Sequence, residues 1–341
     1  MGKLWLHNEL VDRLAMLQQT EATHPGINQV AIEKDWWVTV TLKALFQADC
    51  RDSLIFKGGT SLSKGFNIIE RFSEDIDLAI SHSFFGIEKT NKSQRDKLKK
   101  LARRYIQETL SAQLDAQLKD MGITGYTIEN VTQVQDKNGE WKPIDSDKDP
   151  TVILLHYPSI VENTVSYIPP RVKIEISCLS MDEPTEERDI HSLIGETFEV
   201  EDTYANSKIR TVVPTRTFLE KLFLLAEEFQ KDKPRSVRMS RHLYDLEKLM
   251  DTEYGREALA DRTLYDAIVE HRRAYYALKY VNYDLHAPAT INFMIPEQAI
   301  ELWKADYADM RRFFIYGQSL EFYALMQKIA ELQERVRAIA K

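Results

Sequence analysis

Apolar residues recur every three or four positions in "NELVDRLAMLQQTEA" and again in "NQVAIEKDWWVTVTLKALFQAD". Both stretches read as helices, separated by the break at Pro25 and Gly26. The pattern then shortens. "SLIFK" is a brief apolar run that ends at Gly58 and Gly59, and "TSLSKGFNIIERF" follows with Leu62, Phe66 and Ile69 at helical spacing behind a hydroxyl N-cap. "DIDLAI" alternates as a strand does, so the local order is strand, glycine turn, helix, strand. From Lys89 to Lys119 a charged segment with leucines at helical intervals predicts a solvated helix. "YTIENVTQV" and "TVILLHY" predict a hairpin around the turn-rich "DKNGEWKPIDSDKDP", and "RVKIEISCL" puts Val172, Ile174 and Ile176 on one face with Lys173, Glu175 and Ser177 on the other. After Pro214 nearly everything follows helical spacing, beginning with "TRTFLEKLFLLAEEF" and "RHLYDLEKLM". The expected organisation is a helical lead-in over 1–50, an α+β core over 51–214 and a helical domain over 215–341.

Composition narrows the class. With 341 residues and 43% hydrophobic content the chain can bury a substantial core. No apolar run is long enough to span a bilayer, and the N-terminus lacks the pattern of a cleaved leader, so the expected location is the cytoplasm with no membrane partner. Cys50 and Cys178 are far apart and not in a ligand pattern with histidine, which points to reduced core thiols. A formal charge of −8 argues against a protein that coats nucleic acid through a basic surface. Local basic segments remain, "RDKLKKLARRY" from Arg95 and "KDKPRSVRMSR" from Lys231 to Arg241, with Arg235, Arg238 and Arg241 as candidate RNA contacts.

The chemistry concentrates in "FKGGTSLSKGFNIIERFSEDIDLAI". In a strand, Asp75 and Asp77 share a face roughly 6.6 Å apart along the chain. Magnesium commonly takes one or two such carboxylates together with substrate phosphates. An acidic pair alone is weak evidence, since most are merely solvated. The glycine pair just upstream lets backbone approach a phosphate closely, and the following helix start offers N–H groups beside the hydroxyls of Thr60 and Ser61. Neither a Walker A pattern nor G-x-G-x-x-G is present, which removes the usual support for ATPase and dinucleotide readings. Glu175 is a candidate third acid; the alternative is a surface glutamate paired with Lys173.

Taken together, "FKGGTSLSK" and "RFSEDIDL" resemble the AbiEii/AbiGii nucleotidyltransferase toxins, the family that includes the MenT enzymes within the polymerase-β-like nucleotidyltransferase superfamily. The resemblance implies an α+β fold, a mixed sheet flanked by helices, followed by a helical C-terminal domain. It maps the family's glycine motif onto Gly58, Gly59, Thr60 and Ser61, with Lys64 closing the segment, and its second motif onto Arg71, Ser73, Asp75 and Asp77. "IEKDWWVTVTLKALF" looks like the family's entry helix, with Lys34 and Asp35 in the expected places. "FLEKLFLLAE" and "RHLYDLEKL" resemble the third and fourth motifs, so Lys221 and Asp245 inherit the essential lysine and aspartate; read without the family, an ordinary surface ion pair is an equally good alternative. Arg241 and His242 lie one helical turn before Asp245. Glu175 resembles the superfamily's strand acid.

The implied activity is metal-dependent transfer of a nucleoside monophosphate from an NTP, with pyrophosphate leaving and Mg²⁺, or Mn²⁺, at Asp75, Asp77 and Glu175. Gly58, Gly59, Thr60, Ser61, Lys64, Arg71, Ser73 and Lys221 would hold the nucleotide, and Asp75, Asp77, Lys221 and Asp245 would be catalytic. The implied setting is a toxin-antitoxin or phage-defence system, with a cognate antitoxin as partner and a tRNA 3′ end as the RNA acceptor. Two rivals stay open: nucleotidylation of a protein hydroxyl, and a non-catalytic module that binds RNA or a partner on the same fold.

Overall fold

A computed structural model describes residues 3–87, 92–136, 138–162, 168–180 and 184–339. Lys89, where the sequence pattern starts its charged helix, lies outside them. The chain forms two compact units: the first holds 1–65 and 72–211, the second 66–71 and 212–341. The segment 1–50, set apart by pattern as a lead-in, thus lies within the first unit, and the short stretch Phe66–Arg71 lies within the second.

The first unit begins with α1 (Leu10–Thr23) and α2 (Gln29–Leu45), the latter capped by the Asn28 side chain, which accepts from the Ala31 N–H. Next come β1 (Leu54–Lys57), α3 (Gly58–Lys64) and β2 (Asp75–Ile80). The charged segment forms α4 (Lys92–Tyr105), a π-helical turn at Ile106–Leu110 and α5 (Ser111–Asp120). Then follow β3 (Thr127–Asn130), β4 (Gln133–Gln135), β5 (Trp141–Pro143), β6 (Thr151–His156), β7 (Arg171–Ser177), β8 (Thr185–Ile190), α6 (Leu193–Thr197) and β9 (Ser207–Val212).

Seven strands make one sheet in the order β3-β6-β7-β2-β1-β9-β8, while β4 and β5 pair separately inside the predicted hairpin insertion. β2 runs antiparallel to β1 and parallel to β7, so the sheet is mixed. The register sorts the side chains. Phe56, Leu78 and Ile176 pair on one face, fully buried, whereas Lys57, Asp77 and Glu175 pair on the other and are partly open. Period-two alternation places every apolar residue of β7 on the covered face.

α2 is unlike a surface helix because it is buried on almost every side. Trp36 and Trp37 sit edge-on to each other at 5.2 Å, Trp5 meets Trp36 at 5.2 Å and Tyr157 stacks on Trp37 at 5.0 Å. Such aromatic pairs contribute about 0.5–1.5 kcal/mol each beyond the area they bury. Cys50 and Cys178 are buried free thiols.

The helix expected over "TSLSKGFNIIERF" is shorter than its apolar spacing implies. α3 closes at Lys64, and Asn67 adopts a positive φ of 53°, which no right-handed helix accommodates. Leu62, Phe66 and Ile69 are all buried, but Leu62 belongs to the first unit and the other two to the second. The hydroxyl N-cap is also absent: Lys57 occupies that position and makes no side-chain cap.

The second unit is helical: α7 (Pro214–Glu228), α8 (Arg241–Met250), α9 (Glu253–Ala260), α10 (Arg262–His271), α11 (Ile300–Phe313) and α12 (Phe322–Ala338). α7 starts on Pro214, whose fixed φ suits a first turn. The fully buried apolar residues of this unit include Phe218 and Leu222 of α7, Leu246 of α8, Trp303 of α11, and Leu325, Ile329 and Leu332 of α12. Their three- and four-residue spacing along α7 and α12 is the apolar stripe that the sequence pattern announces.

Candidate active site

On the polar face of the sheet, the pairing of β1, β2 and β7 sets Asp77 opposite both Lys57 and Glu175, and Asp75 opposite Lys173. Asp75 and Asp77 are both half-buried. Gly58 is where the glycine motif meets the acids: its φ is +83°, and a Cβ built there would lie 2.1 Å from Asp77 Oδ2. Only glycine permits that approach. Gly59 is half-buried beside it.

Thr60 and Ser61 are fully buried, and their hydroxyls serve the protein's own backbone. Thr60 Oγ1 donates to the Asp75 carbonyl (2.5 Å) and lies 2.9 Å from Ser73 Oγ, while Ser61 Oγ donates to the Gly58 carbonyl at 2.9 Å. They brace the acid strand and the glycine turn. Lys64 is held by Asp35 at 2.5 Å, and Lys57 Nζ donates to Ser180 Oγ at 2.9 Å.

Glu175 pairs with Lys173 at 2.9 Å, which is the alternative that the sequence left open for it. Among the described residues no group of three or more His, Cys, Asp or Glu is gathered closely enough to hold a metal. The donor chemistry of Asp75 and Asp77, two carboxylates on one partly open face, nevertheless suits a hard divalent cation that takes its other ligands from substrate phosphates.

The second unit carries the remaining motif residues. Asp245 of α8 is fully buried and accepts from Arg71 through two bonds, Nε at 2.6 Å and a terminal nitrogen at 2.8 Å, and pairs with Lys221 of α7 at 2.7 Å. Burial alone would raise the Asp245 carboxyl, but the Arg71 and Lys221 cations outweigh it and hold it well below the usual aspartate range. Burial, aided by repulsion from Arg71, lowers Lys221 despite the pull of Asp245. Burial also pushes His242 well down, helped by Lys221 and Arg241, so the ring is neutral at pH 7. This cluster is internal, not the exposed ion pair that the two motifs alone would allow.

Arg235 is exposed yet held by Glu228 at 2.8 Å; Arg238 lies over the Phe314 ring at 5.2 Å, and Arg241 is half-buried at the start of α8. The other basic segment lines a depression of about 830 Å³ along α4, with Lys97, Lys100 and Arg104, and includes no motif residue. Sequence reasoning missed Glu74, which is buried and paired with Lys34 at 2.6 Å. The available signal was the run Glu33-Lys34-Asp35 inside the otherwise apolar "VAIEKDWWV", since charges there must be paired when the helix is buried.

A mixed sheet with an aspartate pair on a central strand, preceded by a strand, two glycines and a short helix, is consistent with a nucleotidyltransferase domain. Residues 41–335 match the family described as nucleotidyl transferase AbiEii toxin, type IV TA system. The chain belongs to that family of nucleotidyltransferase toxins from toxin-antitoxin systems. No curated protein matches it in sequence. No helix among the described residues is long and apolar enough to cross a membrane.

Proposed function

We propose that the chain transfers a nucleoside monophosphate from an NTP to a hydroxyl of an RNA, with the tRNA 3′ end as the acceptor and pyrophosphate as the leaving group. The observation that carries the reading is the contact of Asp77 with Gly58, which puts the acid pair beside backbone that a triphosphate can approach. Asp75 and Asp77 would hold Mg²⁺ or Mn²⁺, which when bound supplies charge neutralisation for the phosphates and lowers the pKa of an attacking hydroxyl. Gly58 lets the turn lie against the Asp77 carboxylate, and backbone N–H groups of the glycine turn would be donors to the phosphates. Thr60, Ser61 and Ser73 keep the turn and the acid strand in register. Lys221 and Asp245 act within the second unit, where Asp245 fixes both Lys221 and Arg71.

Incubating the protein with each α-labelled triphosphate, bulk tRNA and cell extract tests the acceptor. Label in tRNA is expected; labelled protein with unlabelled RNA would sink the tRNA proposal. Asp77→Ala should abolish growth inhibition on expression, and a variant as toxic as the wild type would show that metal-dependent transfer is not the cause.

A further inference from the structure

Three consecutive charged residues of α2 are buried, and each is paired to a different segment. Glu33 accepts from Ser159 Oγ (2.5 Å) and the Ile160 N–H (2.9 Å). Lys34 pairs with Glu74 at 2.6 Å and donates to the Pro169 carbonyl at 3.1 Å. Asp35 pairs with Lys64 at 2.5 Å and accepts from the Leu193 N–H at 2.8 Å. Two of these partners flank the acid and glycine motifs: Glu74 directly precedes Asp75, and Lys64 is the last residue of α3. All of them lie in the first unit.

Burying charges is costly, and well-packed apolar residues usually serve stability as well or better. Two adjacent buried pairs that end beside the same two motifs therefore ask for another role. Alternation along the extended chain turns Glu74 away from the face that carries Asp75 and Asp77. Its carboxylate anchors the entry of β2 from behind. Asp35 does the same for the end of α3, one residue before Gly65.

We infer that Lys34–Glu74 and Asp35–Lys64 are positioning pairs, through which α2 sets the aspartate strand and the glycine helix against each other for nucleotidyl transfer. The inference rests on the proposed reaction. Misplacing a reacting group by about 1 Å can cost roughly 100-fold in rate. The Lys34–Glu74 pair acts on the acids and so on kcat; the Asp35–Lys64 pair acts on the phosphate turn and so on nucleotide affinity.

The test measures kcat and KM with an α-labelled triphosphate, and affinity with a fluorescent triphosphate, on full-length chains whose folding is checked by circular dichroism. Glu74→Gln and Lys34→Met should lower kcat by about 100-fold with KM within about threefold, and Lys34→Arg should recover most of the rate. Asp35→Asn should weaken triphosphate binding by about tenfold. Where Lys34→Met does not fold, the double variant Lys34→Met with Glu74→Met removes both charges. Folded variants with wild-type kcat and affinity would overturn the inference and leave the pairs structural. A wild-type chain that labels no acceptor would instead overturn the reaction itself.

Discussion

At Gly58 the positive φ and the Asp77 carboxylate leave no room for a side chain. Gly58→Ala should therefore cost about 1–3 kcal/mol, read as a lower urea midpoint, and should also displace Asp77 and remove activity. Gly86, at φ +67° with open space around it, is the control: Gly86→Ala should cost about 1 kcal/mol with activity kept. Asp245 poses the opposite problem, because its charge is what two buried cations need. Asp245→Asn should destabilise by about 3–5 kcal/mol in chemical denaturation. Since the folded carboxyl lies below its ordinary value of 3.8, the stabilisation is complete above that pH and is lost as pH falls through the folded value. Residue types in "GGTS" and "EDID" were legible in the sequence. That Thr60 and Ser61 turn their hydroxyls onto Asp75 and Gly58 was not, because hydroxyl direction depends on neighbours brought in by folding.

Elements were read well where one face is apolar. α1, β2 and β7 fall where periodicity puts them, since a half-buried element writes its exposed face into the sequence. α3 is shorter than its periodicity implies because Phe66 and Ile69 keep helical spacing while belonging to the other unit. α8 carries a test at this scale. His242 is buried, its Nδ1 has no hydrogen-bond partner among the described residues, and its folded pKa lies well below 6.5. Between those values the unfolded chain binds more protons, so stability must fall as pH drops below 6.5, by up to about 1.4 kcal/mol per pH unit. His242→Gln should flatten that slope in urea titrations between pH 6.5 and 5. His286, lowered to about 4 by burial and Arg272, adds a second such contribution that the variant leaves in place.

Across the whole molecule, the charge of −8 means that any RNA must be held by local cations. If Arg235, Arg238 and Arg241 contact phosphates, the KM for RNA should rise steeply with salt, and replacing each by alanine should reduce the log–log salt slope by about one while leaving the KM for NTP unchanged. An unchanged slope would remove them from the RNA interface. By itself the sequence determined the α+β class, the helical character after Pro214 and the two motifs around Gly58 and Asp77, because periodicity and glycine placement are local constraints. Only the tertiary structure decided that Glu175 pairs with Lys173, that Asp245 gathers Arg71 and Lys221, and that α2 holds Glu74 and Lys64. Apart from Glu175 and Lys173, which are near neighbours on an open face, those are choices among charged partners distant in the chain, and burial, which makes an unpaired charge costly, is what selects between them.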